Sequence, residues 1–270
     1  MPPPGGIRVC GGGAGHMPRS MTTIAAAAVL CYLGLCAALF AFQRSLIYLP
    51  QPCPQAAVAG AVSLPVDGAE ILVTVRERAG APAVIYFGGN AEIVPRAVPE
   101  LAAAFPDSAL YLPHYRGYCG STGSPSEEAL LADALAVYDM VRRRHDSIVV
   151  IGRSLGSAVA VHLAGSRPVT GLVLITPFDS LAAVAARHYP FFPVRLLLRD
   201  RFDSRPRAAQ VAAPTLILAA EHDEIVPRGS TENLHAAFRP GLSRLVVVPE
   251  TGHNTVPMLP EFAGLLREMR

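Results

Sequence analysis

The pattern Gly152-x-Ser154-x-Gly156 directly follows the apolar run 148–151 and precedes a stretch of small residues suited to a helix. A serine on a tight turn between a strand and a helix stands clear of the backbone, and the flanking glycines let the strand and the helix approach each other closely. A serine hydroxyl becomes a good nucleophile only when a neighbouring base takes its proton. The pattern therefore predicts that Ser154 is a nucleophile and that a histidine lies on another loop nearby.

His253 meets this requirement, because it follows the apolar run 245–248. Asp223 follows the run 215–219 and would accept the other imidazole proton, which fixes the tautomer and stabilises the imidazolium. We therefore expect Ser154, Asp223 and His253 to act together as a catalytic triad. Three other acids are alternatives for the place of the aspartate: Glu221, Glu224 and Asp179.

Cleavage of an acyl bond also requires backbone N–H groups aimed at the developing oxyanion, each contributing about 100-fold to 1000-fold in rate. The residue after the nucleophile, Leu155, is expected to supply one of them. The loop Gly88-Gly89-Asn90 follows a buried apolar run, and we expect Asn90 to supply the other. A plain glycine turn leading into a helix is the alternative interpretation of this loop.

The elements that must position these residues are short apolar runs that alternate with helical patterns. This alternation predicts an α/β fold, with a mostly parallel sheet and helices on both faces. Binding and chemistry then collect at the carboxyl ends of the strands. The predicted strands are 71–78, which alternates like an edge strand, and 83–87, 109–112, 148–151, 172–175, 215–219 and 245–248.

The stretch from Met21 to Phe42 contains no charged residue and is bounded by Arg19 and Arg44. As a helix it would extend roughly 33 Å, enough to cross a hydrocarbon core of about 30 Å. A cleaved signal peptide is the alternative, but its apolar region would be shorter. Basic residues before the helix favour an internal N-terminus and an exported catalytic domain.

We therefore divide the chain into four parts. Residues 1–20 form a disordered tail, 21–42 a transmembrane helix, 43–60 a linker, and 61–270 the catalytic domain. About 40 residues separate the strands 172–175 and 215–219, which leaves room for one or two helices but not for a full cap domain.

Composition excludes some other classes of protein. The net charge is +2 without a basic face, which argues against nucleic-acid binding. An odd number of cysteines without metal-ligand spacing predicts neither a disulfide framework nor a metal site, and free thiols are favoured unless Cys53 and Cys119 meet in an oxidising compartment. The five cysteines are Cys10, Cys31, Cys36, Cys53 and Cys119.

Several motifs in unbroken order resemble those of the α/β-hydrolase superfamily, and within it the small single-pass serine hydrolases that include depalmitoylating abhydrolase-domain proteins. They are Phe87-Gly88-Gly89-Asn90-Ala91-Glu92, Tyr115-Arg116-Gly117-Tyr118, Pro125-Ser126-Glu127-Glu128, Gly152-Arg153-Ser154-Leu155-Gly156 and Asp223-x-x-Val226-Pro227. The resemblance implies serine-hydrolase chemistry on esters or thioesters, an N-terminal membrane anchor and no cofactor. Two positions depart from the family pattern: Gly88 replaces a histidine, and Cys119 replaces a glycine.

We therefore expect hydrolysis of an acyl ester or thioester through an acyl-enzyme intermediate on Ser154. The substrate would be a small molecule or a lipid, with an acylated protein as a further candidate. The same triad could cleave amides or peptides, and a hydrolase fold could also act as a catalytically silent membrane scaffold.

Overall fold

The computed structural model describes residues 19–267, which divide into two compact units between Ala41 and Phe42. The predicted tail, residues 1–20, lies outside the described part except for Arg19 and Ser20, which are helical. The first unit therefore consists, in its described part, of helix α1 up to Ala41.

Helix α1 extends over Arg19–Ile47, and by length and composition it is a candidate membrane span near the N-terminus. It continues five residues beyond the predicted end at Phe42. In the second unit, Gln43 donates from Nε2 to the carbonyl of Leu197 at 3.2 Å, and Arg44 forms an ion pair with Asp200. These contacts stabilise the helical conformation of Gln43 and Arg44. The first residues of the predicted linker 43–60 therefore belong to α1.

The second unit contains one eight-stranded sheet in the order β1-β2-β4-β3-β5-β6-β7-β8. Pairs β1–β2 and β2–β4 are antiparallel, and all others are parallel. The strands are β1 (Val62–Val66), β2 (Ala69–Arg76), β3 (Ala83–Phe87), β4 (Ala109–Pro113), β5 (Ile148–Arg153), β6 (Gly171–Ile175), β7 (Thr215–Ala220) and β8 (Ser243–Val248).

The prediction missed β1, and β2 is therefore the second strand of the sheet, not its edge. Strand β1 is short and largely exposed, and Pro65 lies within it, which weakens the signal by which a strand is recognised. Proline has no N–H for a sheet ladder and is accepted at an edge. The predicted mostly parallel sheet is confirmed.

Helices cover both faces of the sheet, as predicted, over two separate apolar clusters. After α1, the helices are α2 (Gln55–Val58), α3 (Val98–Ala104), α4 (Glu127–Arg142), α5 (Leu155–Ser166), α6 (Leu181–His188), α7 (Val194–Leu197), α8 (Arg205–Ala208), α9 (Arg228–Ala237) and α10 (Phe262–Arg267), with 3₁₀ turns at Val94–Ala97 and Val256–Met258. Helices α4 and α5 pack on one face of the sheet, whereas α3 and α10 pack on the other.

The segment between β6 and β7 is a short cap insert, here called the insert, that contains α6, α7 and α8. Only α6 is longer than one turn, and Ser180 caps it by accepting a hydrogen bond from the N–H of Ala183 at 3.0 Å. The insert therefore holds three short helices where the sequence predicted one or two.

Cys53 and Cys119 form a disulfide, with Cα atoms 4.7 Å apart. The expectation that these thiols are free was therefore wrong. Spacing along the chain could not reveal the pair, because 66 residues separate the two cysteines and the fold alone brings their loops together. Cys31 and Cys36 are free thiols in the described part of the chain.

Candidate active site

Three predicted residues, Ser154, Asp223 and His253, meet at the carboxyl ends of β5, β7 and β8. His253 Nε2 lies 2.9 Å from Ser154 Oγ. On the other side of the ring, Nδ1 lies 2.9 Å from each carboxylate oxygen of Asp223. The imidazole therefore bridges a hydroxyl and a carboxylate, although the serine lies 99 residues earlier in the chain.

Ser154 occupies a strained turn between β5 and α5. Its backbone angles are φ 49° and ψ −115°, in a region that residues with a side chain rarely adopt and that costs on the order of 1–3 kcal/mol. The turn needs glycine on both sides. A Cβ on Gly152 would lie 2.4 Å from the carbonyl oxygen of Gly156, and a Cβ on Gly156 would lie 2.1 Å from that of Phe87.

The carboxylate of Asp223 is held in place by its own loop. Oδ1 accepts hydrogen bonds from the backbone N–H groups of Ile225 at 3.0 Å and Val226 at 2.7 Å. The side chains of His253 and Asp223 are only 4% and 7% exposed. Because little water competes in such surroundings, the carboxylate can fix the ring orientation and favour the imidazolium.

The three alternative acids have other partners. Asp179 accepts a hydrogen bond from Ser230 Oγ at 2.5 Å and fixes the start of the insert. Glu224 accepts the backbone N–H of His253 at 3.1 Å, and Glu221 accepts that of Glu250 at 2.9 Å. These three acids therefore position the loops. Of the four acids considered, only Asp223 contacts the His253 ring.

Glu221, Glu250 and His222 bring potential metal-ligand atoms within 4.8 Å of one another in the described part of the chain. All three are exposed. Nothing else at this cluster points to a ligand.

The side chain of Asn90 does not face the serine but anchors its own loop. Nδ2 donates to the carbonyl of Ile47 at 2.5 Å, while Oδ1 accepts from the N–H of Leu49 at 3.1 Å and from Tyr118 Oη at 2.7 Å. Any contribution of Asn90 to an oxyanion hole must therefore come from its backbone N–H. No acceptor for this N–H is found among residues 19–267.

The predicted partner donor, the N–H of Leu155, belongs to the first residue of α5 and has no acceptor within the helix. The loop that follows β3 lies beside the strained turn at Ser154, here called the elbow, since a Cβ on Gly89 would be 3.7 Å from Ser154 Cβ. The N–H of Gly89 is already donated to Glu92 Oε2 at 2.7 Å. Asn90 and Leu155 thus remain the donor candidates.

Sequence reasoning missed a polar network that joins three loops of the site, those after β3, β5 and β8. Glu92 accepts from Tyr86 Oη at 2.7 Å and from Arg153 Nη1 at 2.8 Å, in addition to Gly89. Arg153 Nη2 donates to Asn254 Oδ1 at 2.8 Å. Arg153 and Asn254 each adjoin a predicted catalytic residue, but only the folded structure shows that they pair.

Two tyrosines brace the loop that carries Asn90. Tyr115 Oη donates to the carbonyl of Gly88 at 2.8 Å, and burial raises the pKa of Tyr115 well above its ordinary value. Burial also raises the pKa of Tyr118 to about 12. Both hydroxyls therefore keep their protons at neutral pH and remain hydrogen-bond donors.

This fold and this arrangement of serine, histidine and aspartate define the α/β-hydrolase class. The family model described as serine hydrolase matches residues 132–257. An uncharacterized protein of Mycobacterium tuberculosis is 40% identical over 261 residues, covering 89% of this chain and 90% of that protein. The chain belongs to the α/β-hydrolase superfamily of serine hydrolases.

More distant proteins agree with this assignment. The lysophosphatidylserine lipase ABHD12 of Macaca fascicularis is 30% identical over 183 residues, covering 57% of this chain and 46% of that protein. Among solved structures, the Pyrococcus furiosus esterase Pf2001 is similar with a TM-score of 0.66 at 17% identity, covering 82% of this chain and 96% of the esterase. At this level of identity the structural likeness concerns the fold.

Replacing Gly156 by alanine is expected to destabilise the protein by about 1–3 kcal/mol, because the new methyl group would overlap the backbone of β3. Urea titration of the full-length chain in detergent would measure the free energy of unfolding. Gly229→Ala in α9 is the matched control, since a Cβ there meets nothing within 4 Å. Equal unfolding free energies for the two variants would contradict the close approach of α5 and β3.

Proposed function

We propose that this chain hydrolyses acyl esters or thioesters, with Ser154 as nucleophile, His253 as general base and Asp223 as the acid that orients it. The observation that carries the proposal is the unbroken series of hydrogen-bond contacts from Asp223 through His253 to Ser154. Ser154 lies on the strained turn between β5 and α5, which presents its hydroxyl where a substrate carbonyl could approach.

In the first half of the reaction, His253 Nε2 takes the proton of Ser154 Oγ as this oxygen attacks the substrate carbonyl. The imidazolium that forms is stabilised by Asp223, which remains ionised. The negative charge moves to the former carbonyl oxygen, where the N–H groups of Leu155 and Asn90 would stabilise it. Collapse of this intermediate expels the alcohol or thiol, which takes its proton from His253.

The second half repeats these steps with water. His253 removes a proton from the water molecule, and the resulting nucleophile attacks the carbonyl of the acyl-serine. The intermediate collapses to the free acid as Ser154 recovers its proton. No metal or cofactor takes part in these steps.

Two features support an acyl ester as substrate. The relative named as a lysophosphatidylserine lipase acts, by its name, on a lipid. The candidate membrane span α1 would also keep this domain beside lipid substrates. A small molecule or a lipid is therefore the proposed substrate class, and an acylated protein is compatible with the same chemistry.

We further propose that α1 remains as a single-pass anchor and that the catalytic domain lies on the exported side of the membrane. The Cys53–Cys119 disulfide supports this orientation, because disulfides persist in oxidising compartments. Arg8 and Arg19 precede the predicted span 21–42, whereas Arg44 is the first charged residue after it, which favours the same orientation.

A fluorophosphonate probe should label the wild-type chain and should not label Ser154→Ala, because the reactive oxygen is missing. Equal labelling of the two proteins would defeat the proposal.

Asp223→Asn should lose about 10⁴-fold in kcat on p-nitrophenyl esters, since the amide would favour the wrong imidazole tautomer. Faster cleavage of esters than of aminoacyl anilides is expected.

The proposed orientation predicts the oxidation state of the cysteines in cells. Acid-quenched, denatured protein should take up maleimide-polyethylene glycol on only three of its five cysteines until a reductant is added. The double variant Cys53→Ser, Cys119→Ser should carry three tags with or without reductant. Five tags on unreduced wild type would place the domain in a reducing compartment.

A further inference from the structure

The insert forms hydrogen bonds with Gln43 and Arg44, which lie in α1 directly after the charge-free stretch 21–42. Gln43 Nε2 donates to the carbonyl of Leu197 at 3.2 Å, and Gln43 Oε1 accepts the N–H of Arg199 at 2.7 Å. Arg44 makes two hydrogen bonds with the carboxylate of Asp200, at 3.0 and 3.2 Å. Polar residues at the end of a membrane helix lie in the headgroup region, so the insert must lie close to that region as well.

Tyr48 strengthens this attachment. Its hydroxyl donates to Asp200 Oδ2 at 3.1 Å, and its ring packs edge-on against Phe202 with the centroids 6.5 Å apart. Burial raises the pKa of Tyr48, so the hydroxyl stays protonated. Asp200 therefore has two partners from the end of α1 and the residue after it, which limits how far the insert can move from this end of the helix.

The surface of the insert combines exposed apolar side chains with positive charge. Tyr189, Phe191 and Leu196 are 61%, 84% and 81% exposed. Six of the 23 basic residues but only two of the 21 acidic residues fall between Leu181 and Ala208, so the remainder of the chain is slightly negative. Five of these arginines are exposed: Arg187, Arg195, Arg199, Arg201 and Arg205.

We propose that the insert is a second membrane contact, with Tyr189, Phe191 and Leu196 entering the headgroup and acyl boundary of an anionic leaflet. Large apolar side chains beside arginines are the composition that interfacial segments use, and each basic residue near an anionic surface adds to the electrostatic attraction. The positive charge is concentrated on this segment, which fits an anionic lipid surface.

This contact would place the candidate active site beside the lipid. His188, the last residue of α6, contacts the carbonyl of Ile225 through Nε2 at 2.8 Å. Ile225 in turn donates its N–H to Asp223. The insert therefore borders the loop of the acid, and a lipid held against it would lie near the catalytic groups. The membrane contact itself does not depend on the proposed reaction.

The chain contains no tryptophan, so a single introduced tryptophan reports on one position. Leu196→Trp would be reconstituted as full-length protein in vesicles of phosphatidylcholine and phosphatidylglycerol, with and without acyl chains brominated near the headgroup. Arg143→Trp is the control, because Arg143 is exposed at the end of α4, before the amino end of β5. Seating about 5–10 Å below the surface predicts the loss of roughly half of the Leu196→Trp fluorescence.

The control should keep nearly all of its fluorescence in the same brominated vesicles. Adding Arg187→Gln and Arg195→Gln to Leu196→Trp should reduce the quenching, as should vesicles of phosphatidylcholine alone. Quenching of Leu196→Trp no greater than that of Arg143→Trp would overturn the proposal. Strong quenching that is unchanged by loss of the arginines and of the anionic lipid would overturn its electrostatic part.

Discussion

The His253 imidazole has to contact two side chains that lie on different loops, and this requirement constrains the rest of the molecule. Its two ring nitrogens point in opposite directions, and each finds its partner at 2.9 Å. Such a bridge tolerates little movement, since hydrogen bonds weaken steeply with distance and angle. The parallel strands β5, β7 and β8 meet this requirement, because their carboxyl ends all lie at the same end of the sheet.

The strained elbow explains why packing around Ser154 is so tight. A residue at φ 49° persists only if its surroundings hold it. Here α5 lies against the carbonyl groups of Phe87 and Gly88, at a distance that only glycine at position 156 permits. The same close approach brings the loop with Asn90 beside the serine. One backbone contact thus fixes Ser154 and the candidate oxyanion donors together.

The sequence predicts a candidate site where one residue type is physically required. A glycine on either side of Ser154, a histidine after one strand and an acid after another are visible as types and spacings, and the folded sheet brings the three side chains together. Strand β1 escaped because Pro65 lies within a short and largely exposed run, which weakens the signal by which a strand is recognised. The Cys53–Cys119 pair and the Arg153–Glu92 ion pair escaped because they join loops that only the folded sheet brings together. The role of the Asn90 side chain escaped for the same reason, since its partners lie in residues 47–49 and at Tyr118.

Covalent catalysis at Ser154 is tested most directly by trapping the acyl-enzyme. Wild-type protein would be mixed with a p-nitrophenyl ester, quenched in acid during the first turnover and digested with trypsin, which cuts after Arg153 and Arg187 but not between Arg167 and Pro168. We expect a burst of p-nitrophenolate and a peptide 154–187 that carries the acyl mass on Ser154. Ester hydrolysis with no burst and with this peptide unmodified, or with the acyl group on another residue, would contradict the account.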